Sequence, residues 1–235
     1  MKKVIFTLLI ASFISSLNAQ TYTMLSKGKA GFGSNFGYVR GSGSYGMKAE
    51  LAFVQSKMFG LNVHALKLNY NRLEQGLILD NSKSLSKGVS ASFWFLKPSI
   101  GENSELKLGV TVGADYVTYK DYFYMNQETP HQDQLRDRIQ GSLGFESLLN
   151  IRFEKNWVFQ PALYFGYRLG RNAVTHLNQE KSITDDSSET VISIAFGKEF
   201  KDGDMIFISM RQFLYTKPID NYNCISAGIA FPIGK

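Results

Sequence analysis

Cysteine is all but missing from this 235-residue chain. Cys224 stands alone, which excludes an internal disulfide and any metal site built from thiolates only. Histidine is nearly as scarce: His64, His131 and His176 are too few for a histidine-rich metal centre. Charged residues make up 20% of the chain and form no basic run, so no nucleic-acid partner is expected. Long apolar stretches are missing beyond the first twenty residues. The mean hydropathy of −0.14 is too polar for a bundle of membrane helices. What is plentiful is aromatic residues and glycine: 18 Phe, 12 Tyr, 2 Trp and 21 Gly. That aromatic content excludes a disordered chain.

The chain opens with the basic Met1-Lys2-Lys3. An apolar run over 4–17 follows, broken by Thr and Ser, and then the small-residue site Leu17-Asn18-Ala19. These features predict a Sec-type signal peptide over 1–19, a short periplasmic lead-in over 20–29 and a single β domain over 30–235. The apolar run is shorter than the ~20 residues a spanning helix needs. Losing Lys2 and Lys3 with the leader lowers the formal charge from +6 to +4.

Alternation dominates the rest. Over 138–154, Ile139, Leu143, Phe145, Leu149, Ile151 and Phe153 occupy odd positions, while Arg138, Gln140, Ser142, Glu146, Asn150 and Arg152 occupy even ones. A period of two is the signature of a strand with two different faces. The pattern recurs at 157–170, 105–116 and 224–233, and more weakly at 31–40, 44–56, 59–73, 86–97, 190–200 and 205–216. The stretch 59–73 changes phase near Ala65-Leu66, which predicts a bulge. Ten strands result, with eight as the alternative. Short turns at 56–60, 98–103, 154–156 and 201–204 interleave with longer polar loops at about 75–85, 121–137 and 171–189 and smaller ones at 40–44 and 216–221. Asp202-Gly203 is a strong hairpin dipeptide. An even strand count puts both termini at the short-turn end.

Alternation suits a soluble barrel with an apolar interior as well as a membrane barrel with an apolar exterior. Three features select the second. Gly46, Gly88, Gly109, Gly113, Gly144, Gly166, Gly170, Gly197 and Gly228 fall on the polar face, with Gly141 the exception. A crowded narrow lumen needs such small residues; a solvated outer face does not. Aromatics gather at strand ends in two girdles: Phe93, Phe95, Phe153, Trp157, Phe200 and Phe231 at one rim, and Tyr45, Tyr116, Tyr122, Tyr124, Tyr215 and Tyr222 at the other. The strands are also long, well beyond the ~5–6 residues usual in soluble domains.

The expected fold is therefore an all-β, closed antiparallel transmembrane barrel in contact with outer-membrane lipid, with short periplasmic turns and longer extracellular loops. Its polar face carries Lys48, Glu50, Lys107, Asp115, Arg138, Glu146, Arg152, Arg168, Glu199 and Arg211, read here as lumen-lining. Their mixed signs favour a lumen plugged by ion pairs. A narrow polar pore lined by the same residues is the alternative. No cofactor is expected. No spacing specifies a catalytic triad around His131, His176 and the serines near them, so no catalytic or metal-binding residue is assigned and the chain is not expected to be an enzyme. The cluster Tyr119 to Met125 could offer an envelope protein or a glycan a contact surface on the outside.

The chain resembles the small outer-membrane β-barrel proteins of Gram-negative bacteria, with OmpA/OmpX-type architecture. The stretch Phe159-Gln160-Pro161-Ala162-Leu163-Tyr164 is similar to a strand of the PorT-like group. The resemblance spans 30–235 as architecture. It implies location in the outer membrane after export and, through the PorT-like group, a place in a secretion or envelope complex. One departure is the end of the chain, where Phe231 is followed by Pro232-Ile233-Gly234-Lys235 rather than closing on an aromatic residue.

Overall fold

The computed structural model describes residues 30–41, 43–55, 58–70, 73–74, 77–78, 82–98, 100, 103–125, 132–176, 179–215 and 221–233. The expected signal peptide and lead-in lie outside the described residues.

Ten strands form the barrel: β1 (Ala30–Gly41), β2 (Ser44–Gln55), β3 (Phe59–Tyr70), β4 (Ser82–Leu96), β5 (Ser104–Met125), β6 (Gln132–Arg152), β7 (Trp157–His176), β8 (Gln179–Glu199), β9 (Met205–Tyr215) and β10 (Tyr222–Ile233). Each pairs antiparallel with its neighbours in the chain, and β1 pairs with β10 from Ala30↔Ile233 to Gly41↔Tyr222. That last pairing leaves no open edge in the wall. A two-residue ribbon, Leu73–Glu74 with Leu77–Ile78, stands apart in the β3–β4 connection. Both ends of the barrel strands, Ala30 and Ile233, share the rim with the short connections at 56–58, 97–103, 153–156 and 200–204.

The register fixes the shape. One row of paired residues runs Gln140, Asp115, Gly88, His64, Glu50, Asn35, Gly228, Phe207, Gly197, Val158 and returns to β6 at Arg152, twelve residues further on. Ten strands with that stagger tilt by about 40° and enclose a cylinder of about 10 Å backbone radius. Every residue of the row points inward.

The two faces differ as a bilayer requires. Outside are Phe36, Leu51, Phe145, Phe165, Ile208 and Ile225, each more than half exposed. Placed on the tilted strands, the outward apolar residues form a band about 25 Å tall, the height expected of a membrane barrel. Phe93, Phe95, Phe153, Trp157, Phe200 and Phe231 ring its lower rim, all exposed. A soluble protein would not leave this much contiguous apolar surface to water. The named glycines face inward, and Gly141 faces out.

The structure corrects the sequence reading in three places. β3 has no bulge: it pairs without interruption with β2 and β4 from Phe59 to Tyr70. Leu66 and Leu68 imitate a phase change because they are apolar residues on the inner face, buried beneath the upper opening. Tyr215 and Tyr222 point into the lumen, where the Tyr222 ring stacks on Phe213 with centroids 4.4 Å apart, so they are not girdle residues. The side chains of Tyr122 and Tyr124 lie outside the described residues. Finally, much of the expected loops 121–137 and 171–189 is strand. β5–β6 and β7–β8 continue upward as paired hairpins, and above Glu189 strand β8 has left β9 and pairs only with β7. The ten residues Gln179 to Ser188 carry this wing about 25 Å above the band at ~3.3 Å per residue and the barrel's tilt. Both faces of the wing meet water, so it carries no apolar alternation.

Depth in the band sets the cost of an outward charge. Leu163→Arg, at mid-band, is expected to lower stability by about 2–4 kcal/mol, and Leu214→Arg, at the upper rim, by about 0–1. Urea unfolding of vesicle-folded protein, followed by tryptophan fluorescence, measures both.

Candidate functional site

The lumen holds the chemistry. Lys48, Glu50, Lys107, Asp115, Glu146, Arg168 and Arg211 lie buried on the inner face. Arg138, Arg152 and Glu199 lie on the same face, partly buried near the two openings. Strand parity places all ten, since each occupies the inward phase of its strand. They fall into separate groups rather than one track.

The central group is built on Glu50. Its carboxylate receives Lys48 Nζ at 2.7 Å and Arg211 Nη1 at 2.7 Å, with Asn62 Nδ2 donating at 3.3 Å. Arg211 comes from β9 and Glu50 from β2, with β10 and β1 between them across the closure. Lys48 also lies 5.1 Å from the centroid of the Phe213 ring. A second group joins His64 Nε2 to Asp115 Oδ1 at 2.8 Å, with Ser86 donating to the same oxygen at 3.0 Å. A third passes from Ser92 to Thr111 at 2.9 Å and from Thr111 to Glu146 at 2.8 Å, while Lys107 lies 4.8 Å from the centroid of the Trp94 ring. Arg168 donates to Gln140 at 2.6 Å and stacks 4.5 Å from the Tyr215 centroid. At the lower rim Arg152 pairs with Glu199, and near the upper rim Arg138 reaches Asp185 at 3.2 Å.

Glycine makes room for these large side chains. A Cβ on Gly88 would sit 2.0 Å from Asp115 Oδ1 and 2.5 Å from His64 Cε1. Cβ atoms on Gly144 and Gly166 would strike the Tyr164 ring at 2.4 Å and its hydroxyl at 2.0 Å. Gly170 leaves space for Arg138.

Apolar clusters close the tube above and below. The upper one gathers Val39, Leu66, Val117, Tyr164, Val191 and Phe213 with their neighbours, from strands on opposite sides of the barrel. The lower one gathers Val54, Trp94, Val158, Met205, Phe207 and Ala230. Between them Lys48 is 0%, Arg211 1%, Glu146 2% and Glu50 3% exposed, and a cavity of about 1670 Å³ borders Glu50, His64, Gly88 and Asp115 at this level.

Glu189 and His64 are not read as lumen residues from the sequence. Glu189, assigned to a loop, is completely buried inside β8. His64 lies beside the false phase change, yet it stands in plain alternation with Asn62 on the inner face. Gln160 bridges to Asn150 beside Pro161, where the β6–β7 pairing lapses between Ala162 and Phe159; that lapse lets a proline sit inside a closed wall. Cys224 is inward and buried. Asp185 and Asp186 are successive strand residues on opposite faces, one bound by Arg138 and the other by Tyr167, so they do not form a joint cation site. Among the described residues no group of three or more His, Cys, Asp or Glu could hold a metal. His131 and the side chain of His176 lie outside the described residues.

No family model and no curated protein matches this chain. Similar solved structures are outer-membrane proteins. The outer membrane protease OmpT from Escherichia coli is 9% identical, with 88% of this chain and 94% of that one covered and a TM-score of 0.42. The β domain of the Bordetella autotransporter BrkA is 10% identical, with 87% and 100% covered and a TM-score of 0.43. Ail, the attachment invasion locus protein of Yersinia pestis, is 9% identical, with 88% and 98% covered and a TM-score of 0.35. At these identities the likeness assigns no role to any residue of this chain.

The lumen groups make two predictions. Glu50→Gln leaves Lys48 and Arg211 buried without a counter-charge and is expected to cost about 3–5 kcal/mol in urea unfolding. Gly88→Ala is expected to cost about 1–3 kcal/mol in the same assay, because the new methyl displaces the Asp115 carboxylate.

Proposed function

We propose that this chain is a non-conducting outer-membrane barrel with a structural or interaction role and no enzymatic activity. The observation that carries the reading is the buried charge of the lumen: a mixed-sign belt, almost wholly out of contact with solvent, between two apolar clusters. Ions crossing such a belt would have to separate buried pairs, each held by hydrogen bonds. The described histidine–carboxylate pair, His64 with Asp115, is buried in the same interior and engaged with itself. Binding then belongs to the outside, where the β5–β8 wing presents Arg136 paired with Glu180, Arg171 bonded to Ser182, and Tyr167 on Asp186. An envelope protein or a glycan is the partner class that suits this polar, rigidly positioned surface.

Planar-bilayer recording tests the reading. The refolded chain is expected to be heat-modifiable on gels and to give no steady conductance. The double variant Tyr164→Ala with Phe213→Ala, which opens the upper cluster, is expected to introduce one. A voltage-stable conductance from the unaltered protein would overturn the proposal in favour of a narrow channel.

A further inference from the structure

The outward face carries an unbalanced charge cluster at one place. Arg40 on β1, Lys67 on β3, Lys83 and Lys87 on β4, and Lys120 on β5 all point away from the lumen and are exposed, Lys120 beside the upper end of β4. Register places them together. Lys67 pairs with Leu85, so Lys83 and Lys87 flank it diagonally, and Lys83 stands directly opposite Lys120. Like charges directly opposite on one sheet face destabilise the pairing. Among the residues whose side chains are described, β1 to β5 present no outward carboxylate at this level; the side chain of Asp121 lies outside them. The nearest in the register is Asp137 on β6, opposite Thr118. Outward acids gather instead on the wing, where Glu180 and Asp186 are already engaged.

Height gives the cluster its meaning. With the strand tilt, Arg40, Lys67 and Lys87 fall within about 2 Å of one level, with Tyr45 and Tyr116 about 2–3 Å above and Lys83 and Lys120 about 10 Å above. This is the upper boundary of the apolar band, where headgroups meet hydrocarbon and where tyrosine is favoured. We propose that this patch binds the phosphate groups of a lipid headgroup in the leaflet facing the wing. The bound phosphates supply the negative charge that the five basic residues lack, and the lipid's chains lie along the exposed Phe36, Leu51 and Val63 below them. Lysine suits the role, because its long stem lies along apolar wall while its ammonium reaches the headgroup level. The inference rests on the membrane placement proposed above. A chain that stays soluble without detergent would remove that placement; a detergent-dependent barrel that retains no phospholipid removes only this proposal.

Native mass spectrometry of the folded barrel in non-ionic detergent tests it, with diphosphoryl lipid A as probe, a phosphate-free diacylglycerol as control and inorganic phosphate as competitor. The barrel is expected to retain the phosphorylated probe and not the diacylglycerol. Each of Lys67→Gln, Lys83→Gln and Lys87→Gln is expected to weaken retention roughly fivefold. Lys83→Glu separates binding from folding: it places a carboxylate opposite Lys120, so the lipid-free barrel is expected to unfold at higher urea while retention of the probe falls. Equal retention by the lysine variants, retention of the diacylglycerol, or displacement of the lipid by an equal concentration of inorganic phosphate would each overturn the proposal. The last would mean that the patch reads a free anion rather than a lipid.

Discussion

Backbone hydrogen bonding in a medium without water governs this molecule. Hydrocarbon offers no partner to a free N–H or C=O, so a sheet that enters it must close on itself. Here the closing contact is β1 with β10, the two ends of the described chain, paired over twelve residues. Closure with ten strands and a stagger of twelve then sets the tilt, and the tilt sets the bore. A cylinder of about 10 Å backbone radius is too wide to be filled by small side chains and too narrow to leave an open aqueous channel once Arg, Lys, Trp and Tyr point inward. Glycine on the inner face follows from the same geometry. Tyr164 lies across its own wall only because Gly144 and Gly166 are bare.

A filled interior makes charge demanding. A buried carboxylate is costly unless its neighbours neutralise it, and removing one partner costs more than the pair contributes. The lumen meets this by grouping: Glu50 sits with two cations and an amide and Asp115 with His64 and Ser86, while Glu146 is held by a hydrogen bond from the Thr111–Ser92 chain. These groups do more than hold the carboxylates. Arg211 reaches Glu50 past the closing β1–β10 seam, so a slip of one residue at the seam would turn one partner outward. Charge in the lumen thus fixes register as well as filling space.

The barrel was legible in the sequence because its two faces differ in polarity, and alternation reports that difference. Ten strands, the inward glycines and the lower aromatic girdle all come from the same signal. The signal failed wherever the faces stop differing. Leu66 and Leu68 are apolar on the inner side, in the cluster that closes the lumen, and so they imitated a bulge. Tyr215 and Tyr222 lie near a strand end, and end position alone does not tell a girdle residue from a plug residue. In the wing both faces are wet, so residues such as Ser182, Thr184, Asp186 and Ser188 read as loop although the backbone there is paired strand. The ten charged lumen residues could be named because they stand in clear alternation. Asn62, which donates to Glu50, and the buried Glu189 needed the register between strands to be placed.

The two rims differ in a way that alternation does not reveal. At the lower rim Lys198 lies 5.0 Å from the Trp157 centroid, beside the inward pair Arg152–Glu199, and charges of both signs share the short connections, among them Lys97, Glu154, Lys201 and Asp204. On β1–β5 the upper rim is basic and unbalanced, and on β6–β8 the wing above it carries acids that already have partners. A barrel that only needed to float between two identical interfaces would have no reason to place Lys83 against Lys120. The pairing is unfavourable in isolation, and it becomes favourable when the surroundings on that side supply anions at headgroup height. The asymmetry of charge between the rims therefore gives the wall an orientation, with the wing and the basic patch facing the same side and the short turns facing the other.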